Sequence, residues 1–520
     1  MDTASVSRSC DLVVTNAFLV TMDAERRVFR TGAVAIDGGQ IVAVGRAADV
    51  AERFRAARTL DADGGAVLPG SYDCHAHVGL HTTRGAFSEL GDESAYFNNY
   101  IDWTNALEPE DEYASALLAG LEMLKNGVTC FIEPGTAWAP DAVASAIDAL
   151  GMRGSVGDPY VWDVEDFWYA ENLSRAPATR ERAWSALGAQ LWRNTDPEAR
   201  VRGHLALYGI GSASDELLLA AVGLASEKDS FLTMHQSFEP PDIASDDARF
   251  GQHPLAHFAE IGALSERCVF AHVNAVRDDE VGPIVESGMS VVWNPGNYLY
   301  WGVGDHYRSR MAELHQRGAN VTFGTDIGKV WAAGEQGLLG YLITREKSAY
   351  LAPEAILEIS TRNGARALGQ SQRLGSLEVG KRADLVMHTS RLPEQQPALD
   401  VVRNLALVSR TKSVRSVIVD GRLVLEDGRP TFIDEDSVYA LVAASVARMV
   451  ARVGLQPLTL PTRPCCWCCS SVFDRSELKH ADVIPVRNRR GRRRQGEMRT
   501  CVRHTTRPVS ARGRCPSQQS

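Results

Sequence analysis

Two textures of hydrophobic and polar residues follow one another along the chain. Between residues 11 and 70, "DLVVTNAFLVTMD", "GAVAIDGGQIVAVG" and "TLDADGGAVLPG" are β-branched runs broken by Gly and Asp turns, the pattern of short strands. Asp37-Gly38 is a pair suited to a tight hairpin. The same texture returns late, in "GSLEVGKRADLVMH" and "VRSVIVDGRLVLEDGRP", where Asp420-Gly421 separates two valine-rich runs. The pattern predicts one small β-domain built from both ends of the chain, residues 10–65 with 372–435.

The middle alternates short apolar strands with longer helical segments. "NGVTCFIEPGT" precedes "APDAVASAIDALGMRG", "VRGHLALYGIG" precedes "SDELLLAAVGLASEKD", and "FLTMHQSFEP" precedes "PLAHFAEIGAL". "CVFAHVNAV", "MSVVWNPG" and "NVTFGTDIG" continue the series. About eight such units fit between 66 and 371, the size of a (β/α)8 barrel of ~250 residues with insertions. The expected class is α/β, a TIM-like barrel carrying a small β-sandwich made from the terminal segments. A doubly wound sheet competes, but no G-x-G-x-x-G follows the first strand. A helix over 436–455 closes the patterned part, and 456–520 shows neither period.

Composition narrows the function classes. Hydrophobic residues at 44% and charged residues at 23% suit a soluble globular protein, and no apolar run approaches the ~18 residues of a membrane span. "MDTASVSRSCDLVVTNAFLV" lacks a basic leader and a small-residue cleavage site, so a cytoplasmic location is expected. The net charge of -10 is unevenly spread: from Pro461 on there are 14 Lys+Arg against 4 Asp+Glu, a balance of +10, which leaves residues 1–460 at -20. An acidic body disfavours nucleic-acid binding. Six of the ten cysteines lie in the basic tail, read as disordered or as translated out of frame, and the other four are too scattered for a disulfide framework.

The candidate chemistry sits at strand ends. In "LPGSYDCHAHVGLHTTRG", His75 and His77 are two apart on an expected strand, so both imidazoles point to one side and can share a metal ion. An isolated H-x-H reads as readily as two hydrogen-bonded polar residues. His235 closes "FLTMH", His272 closes "CVFAH" and Asp326 closes "NVTFGTD", all at the barrel face where activity sits. Four strand ends carrying metal-type residues in order make coincidence a poor account.

From about residue 10 to 455 the sequence resembles the amidohydrolase superfamily, in particular its deaminase and s-triazine hydrolase branch. The resemblance rests on "LPGSYDCHAH", "NGVTCF", "HLALYGIGSASDELL", "HQSFEP", "AHVNAVRDDEV", "NPGN", "FGTDIG" and "ISTRNGARALGQSQRLGSLEVGKRADLVM". It implies a metal-dependent hydrolase of non-peptide carbon–nitrogen bonds that deaminates an amino-substituted N-heterocycle. His75, His77, His235 and Asp326 then resemble the ligands of one divalent metal, zinc by ligand type with iron(II) left open. Asp326 would also take a proton from the attacking water, and His272 would orient that water or the developing oxyanion without coordinating. His81 is then a bystander or a substrate-facing residue. The family's general acid usually stands three residues after the strand-five histidine, whereas "HQSFE" places Glu239 four after His235; a bulge would re-aim it.

The loop after "GTD" also departs from the family, leaving the substrate open. Two aromatic clusters, Tyr96, Phe97, Tyr100 and Trp103 with Trp293, Tyr298, Tyr300 and Trp301, are expected at the mouth, where rings would hold a flat heterocycle. The partners implied are a small heterocyclic substrate and further copies of the chain, with no membrane. Two alternatives remain: a binuclear amidase or lactonase, which needs a bridging lysine that "VRGHLALYGIG" lacks, and a catalytically inactive barrel that binds a partner, which would be expected to have lost ligands.

Overall fold

The computed structural model describes residues 7–86, 93–165, 167–329, 331–346, 350–408 and 410–455. The tail 456–520 lies outside the described residues. Among the described residues no helix is long and apolar enough to cross a membrane. Cys10, Cys74, Cys130 and Cys268 are buried and unpaired.

The two ends of the chain build one nine-stranded sheet. Arg8–Val20 pairs with Val28–Asp37, Phe54–Asp61 and Ala66–Pro69, and Ala66–Pro69 pairs in turn with Leu385–His388 from the far end of the sequence. Alternation places Leu12, Val14, Leu385 and Ile418 in one buried cluster. Asp420 and Gly421 both adopt left-handed backbone between the paired Val419 and Arg422, the geometry a two-residue hairpin requires. In the earlier hairpin the left-handed pair is Gly38 and Gly39, one residue beyond the expected Asp37-Gly38.

The remaining strands are parallel and form the layer that carries the chemistry: β1 (Ser71–Asp73), β2 (Val128–Glu133), β3 (Arg153–Val156), β4 (Val201–Gly203 and Leu205–Gly209), β5 (Leu232–Gln236), β6 (Cys268–His272), β7 (Ser290–Trp293) and β8 (Asn320–Phe323). Each pairs with its sequence neighbours in parallel register. The Cys74 N–H donates to Phe323 O at 2.8 Å, which links the first strand's end to the last strand. The expected barrel boundary at 66 moves to Ser71. The chain changes partners across a single residue: Gly70 N–H donates to Asp384 O of the terminal sheet, and Ser71 N–H donates to Gly127 O beside β2.

Helices lie between these strands and pack apolar residues against them. Asp215–Glu227 starts on Ser214, whose Oγ accepts from Leu217 N–H at 3.2 Å, and buries Leu217, Leu218, Ala221 and Ala225. Burial of each leucine contributes roughly 1.5–3 kcal/mol. Arg153 on β3 ties the parallel layer to the terminal sheet. Its guanidinium donates to Asp384 (Nε–Oδ2 2.7 Å) and to Asp420 (Nη2–Oδ1 2.6 Å), all three groups being largely buried. The last helix, Glu435–Val453, begins one residue before its expected start and stops at Gly454 in the left-handed region.

Candidate active site

The residues expected at four strand ends converge. Among the described residues, His75, His77, His235 and Asp326 form one group whose donor atoms all lie within 4.8 Å of one another, and all four are buried. His77 Nε2 stands 3.2 Å from His75 Nε2, 3.3 Å from His235 Nε2 and 3.0 Å from Asp326 Oδ1, while His75 Nε2 is 3.2 Å from the same oxygen. Donors ~2.0–2.1 Å from a central ion in a tetrahedron would be about 3.3 Å apart. The donor set therefore fits a single divalent cation.

The surroundings orient the lone pairs inward. His235 Nδ1–H donates to Tyr208 O at 2.7 Å, which leaves Nε2 bare towards the group. Glu133, at the end of β2, accepts from the Thr136 hydroxyl at 2.8 Å; the Thr136 oxygen in turn takes His77 Nδ1–H at 2.7 Å. Burial pushes His75, His235 and His272 down to about 3, so these imidazoles are neutral at ordinary pH and able to ligate. Burial alone would raise Asp326, but the imidazoles of His75 and His77, whose Nε2 atoms stand 3.2 and 3.0 Å from its Oδ1, outweigh that and hold it well below the usual carboxylate range. His75, His77, His235 and Asp326 would hold a divalent ion with three imidazole nitrogens and one carboxylate, a set that would leave it a net charge of about +1 and so the capacity to acidify water.

Local backbone geometry places these side chains. Asp326 and His272 are both left-handed, at φ 61° and 71°, and so is Val273 at 49°. Such conformations are uncommon for non-glycine residues and concentrate at functional sites. Asp326 N–H donates to His75 O at 2.7 Å, tying the β8 end to the β1 end. Asn297 Nδ2 donates to Asp326 Oδ2. Gly324 must be a glycine: a Cβ there would stand 2.8 Å from His75 Cβ and 2.7 Å from Asn294 Nδ2. His272 is outside the donor group, with its ring centroid 5.5 Å from that of His75.

A cavity opens over this group. His77, His235, His272 and Asp326 line its floor together with Glu239. Ser237, immediately after β5, is left-handed at φ 50°, and this kink accompanies the extra residue in "HQSFE". Of the expected aromatic residues, Phe97, Tyr100 and Trp301 line the cavity. Trp103, Trp293 and Tyr298 are instead fully buried in the core, and Tyr300 packs against Trp301 and Trp331. The side chain of Tyr96 lies outside the description. Tyr208 from β4, Phe167, Tyr169 and Phe238 supply the rest of the aromatic wall, with Asp242 and Lys329 as further charged lining residues. The position of Tyr208 at a strand end in "HLALYGIG" was the available signal for it; Phe167 and Tyr169, the N-cap and second residue of the short helix Trp168–Asn172, carried none. His81 Nε2 sits 2.8 Å from Glu122 Oε2.

Comparison with known proteins decides the family. Residues 66–424 match the model of the amidohydrolase family.

The chain belongs to the amidohydrolase family.

This amidohydrolase is 32% identical over 447 residues to a protein of Syntrophobacter fumaroxidans named 5-methylthioadenosine/S-adenosylhomocysteine deaminase, with 84% of this chain and 98% of the relative covered. It is 27% identical to the 5'-deoxyadenosine deaminase of Methanosarcina mazei, with 85% and 99% covered. Among solved structures, a zinc-bound adenosine deaminase from Xanthomonas campestris superposes with a TM-score of 0.77 at 24% identity, over 86% of this chain and all of that one. The zinc complex of atrazine chlorohydrolase from Arthrobacter aurescens TC1 gives 0.74 at 23%, over 84% and 100%. These two likenesses establish the fold. The chain is a hydrolase of carbon–nitrogen bonds other than peptide bonds, of the deaminase kind.

Proposed function

We propose that this amidohydrolase deaminates an adenosine-type nucleoside, using one divalent metal, zinc by donor type, held by His75, His77, His235 and Asp326. The observation that carries the reading is the convergence of these four donors, three of which (His77, His235 and Asp326) line an aromatic-walled cavity that Glu239 also lines. The relatives named as adenosine-type deaminases, covered over nearly their full length, support the substrate class. In this reading the eight parallel strands are a (β/α)8 barrel with the site at their carboxyl ends.

When bound, the metal supplies Lewis acidity that brings the pKa of water from 15.7 towards ~7. The chain's own groups do the rest. Aromatic rings of the wall hold the flat base by stacking and exclude water. Glu239, as general acid, donates a proton to a ring nitrogen, so that the amino-bearing carbon accepts the attacking oxygen. Asp326, ionised and steadied by Asn297, accepts the proton released by the attacking water and passes it to the departing amine. His272 stands beside the reacting oxygen as an orienting group. The remaining proton of the attacking oxygen passes to Glu239 as the oxo group forms, restoring the acid, so the balance is water plus aminated base giving the oxo base and ammonia.

The binuclear alternative loses support from this arrangement: β4 carries no lysine, and one donor group is found among the described residues. The test is ammonia release from adenosine, 5'-deoxyadenosine and 5'-methylthioadenosine by protein carrying about one metal per chain, with an aminated triazine as comparator. Turnover of a nucleoside is expected. Release from the triazine alone would overturn the nucleoside assignment, and two metals per chain would favour the amidase.

A further inference from the structure

Two of the donor histidines have their outer nitrogens held in different ways. His235 Nδ1 is bound by a main-chain oxygen, whereas His77 Nδ1 meets a side chain, Thr136 Oγ1, at 2.7 Å. A hydroxyl has one proton to give. Thr136 donates it to Glu133 Oε1 at 2.8 Å, and a carboxylate only accepts. The oxygen that faces His77 therefore presents lone pairs. The imidazole proton must then sit on Nδ1, which leaves Nε2 bare towards His75, His235 and Asp326.

The turn that carries Thr136 is fixed at both ends. Glu133 closes β2 and is followed by Pro134, which has no N–H to continue the ladder. The Glu133 carboxylate reaches forward instead and accepts Gly135 N–H on Oε2 and Thr136 N–H on Oε1, both at 2.9 Å. Gly135 is left-handed at φ 84°, and a Cβ there would stand 2.5 Å from Ala206 Cβ and 2.6 Å from Asp158 O, so the turn admits only glycine. Beyond Thr136, Glu112 of the helix Pro109–Lys125 takes two consecutive N–H groups, Trp138 on Oε1 and Ala139 on Oε2, both at 2.7 Å. Glu112, Glu133 and Thr136 are all buried, and every one of these bonds joins groups of the chain itself.

Resting on the reading of His75, His77, His235 and Asp326 as ligands of one metal, we propose that Thr136 and Glu133 are positioning residues for His77: the pair fixes the imidazole proton on Nδ1 and the direction of the ring, and so sets the affinity of the site for a divalent cation. Outer hydrogen-bond partners of ligating histidines commonly contribute about 10–100-fold in metal affinity. A buried threonine in a turn also serves folding, so the two contributions have to be separated.

Zinc affinity of the metal-free, full-length chain is measured by competition with a chromophoric chelator, well below the thermal midpoint of each variant. Thr136→Val keeps the shape and removes the hydroxyl, and zinc is expected to bind about 10–100-fold more weakly. Thr136→Ala removes the same hydroxyl and takes its place if the valine variant does not fold. Thr136→Ser restores the hydroxyl, and affinity within about threefold of wild type is expected. Glu133→Gln turns an amide N–H2 towards either the Gly135 N–H or the Thr136 hydroxyl, with a weakening of about fivefold or more expected. A part in folding alone would lower the midpoint of the metal-free protein and leave the zinc affinity of the folded chain unchanged. Wild-type affinity in a folded Thr136→Val or Glu133→Gln, or a Thr136→Ser as weak as Thr136→Val, overturns the proposal. His77→Ala is the control for the reading beneath it: zinc bound there with wild-type affinity would remove His77 from the ligand set, whatever the Thr136 variants show.

Discussion

His235 shows how much one side chain carries at this site. Its Nδ1–H is committed to Tyr208 O and its Nε2 faces His77 and the shared donor point. His235→Ala removes a ligand and leaves the other donors facing a gap too polar to close by collapse. Metal content of the purified variant is expected to drop from about one per chain to below one tenth, with ammonia release down by at least a hundredfold, and elemental analysis beside an activity assay checks both. A variant that retains stoichiometric metal would remove His235 from the ligand set. The same residue also marks the boundary of what the sequence disclosed. The nearness of His75, His77, His235, His272 and Asp326 to one another was legible because each closes or directly follows an apolar strand, and strand ends in a parallel α/β layer face one side. Glu239 was only half legible, since its direction depends on the left-handed Ser237, a backbone choice that no residue type in "HQSFE" announces.

At the scale of elements, the final helix is held by polar contacts as much as by apolar ones. Asp111, 1% exposed in the helix Pro109–Lys125, accepts from Ser445 Oγ at 2.8 Å, Arg448 Nη2 at 2.8 Å and Arg452 Nη1 at 2.9 Å, while Met449 packs with Leu80, Trp103 and Leu107. Burial would raise the Asp111 carboxyl, but these three donors hold it below its ordinary value. Asp111→Ala leaves a buried hydroxyl and two cations without their acceptor, a loss of about 2–4 kcal/mol. Unfolding in urea, together with faster amide exchange across 435–453, is the expected signature; unchanged exchange there would show that Met449 and its neighbours suffice. Elements of this kind were predictable as elements, with bounds within a residue or two. Their partners were not. Ala66–Pro69 and Ser71–Asp73 read as one strand because both are apolar, and only the change of hydrogen-bond partners around Gly70 assigns them to different sheets. Trp293 and Tyr298 had the look of mouth residues, yet both are fully buried. A strand or turn position fixes a side chain's face only once the neighbouring elements are known.

Across the whole molecule, burial has neutralised groups of both signs, and their pH linkages oppose one another. His75, His204, His235, His272 and His388 are all driven by burial down to about 3, whereas Asp73 is driven up to about 6 and Glu112, Asp158 and Asp242 up to about 7. A histidine with an unfolded pKa of ~6.5 and a folded value near 3 binds a proton only when unfolded between those limits, so its term in stability rises with pH through that window and is complete above it. A carboxyl raised from ~4 to 6 or 7 binds its proton only when folded, so its term falls as pH rises. Between about pH 4 and 6.5 the two sets of terms oppose one another and partly cancel. His388 isolates one component, because it lies in the terminal sheet away from the donor group, with Nδ1 2.9 Å from Ser413 Oγ. Replacing it by asparagine removes one proton from the balance, so the slope of unfolding free energy between pH 5 and 6 should become less positive by about 1.4 kcal/mol per pH unit. Urea denaturation at three pH values in that interval measures it. Wild type should lose more stability than His388→Asn on acidification, while parallel curves would mean that His388 takes up a proton in the folded state and that burial there is weaker than its surroundings suggest.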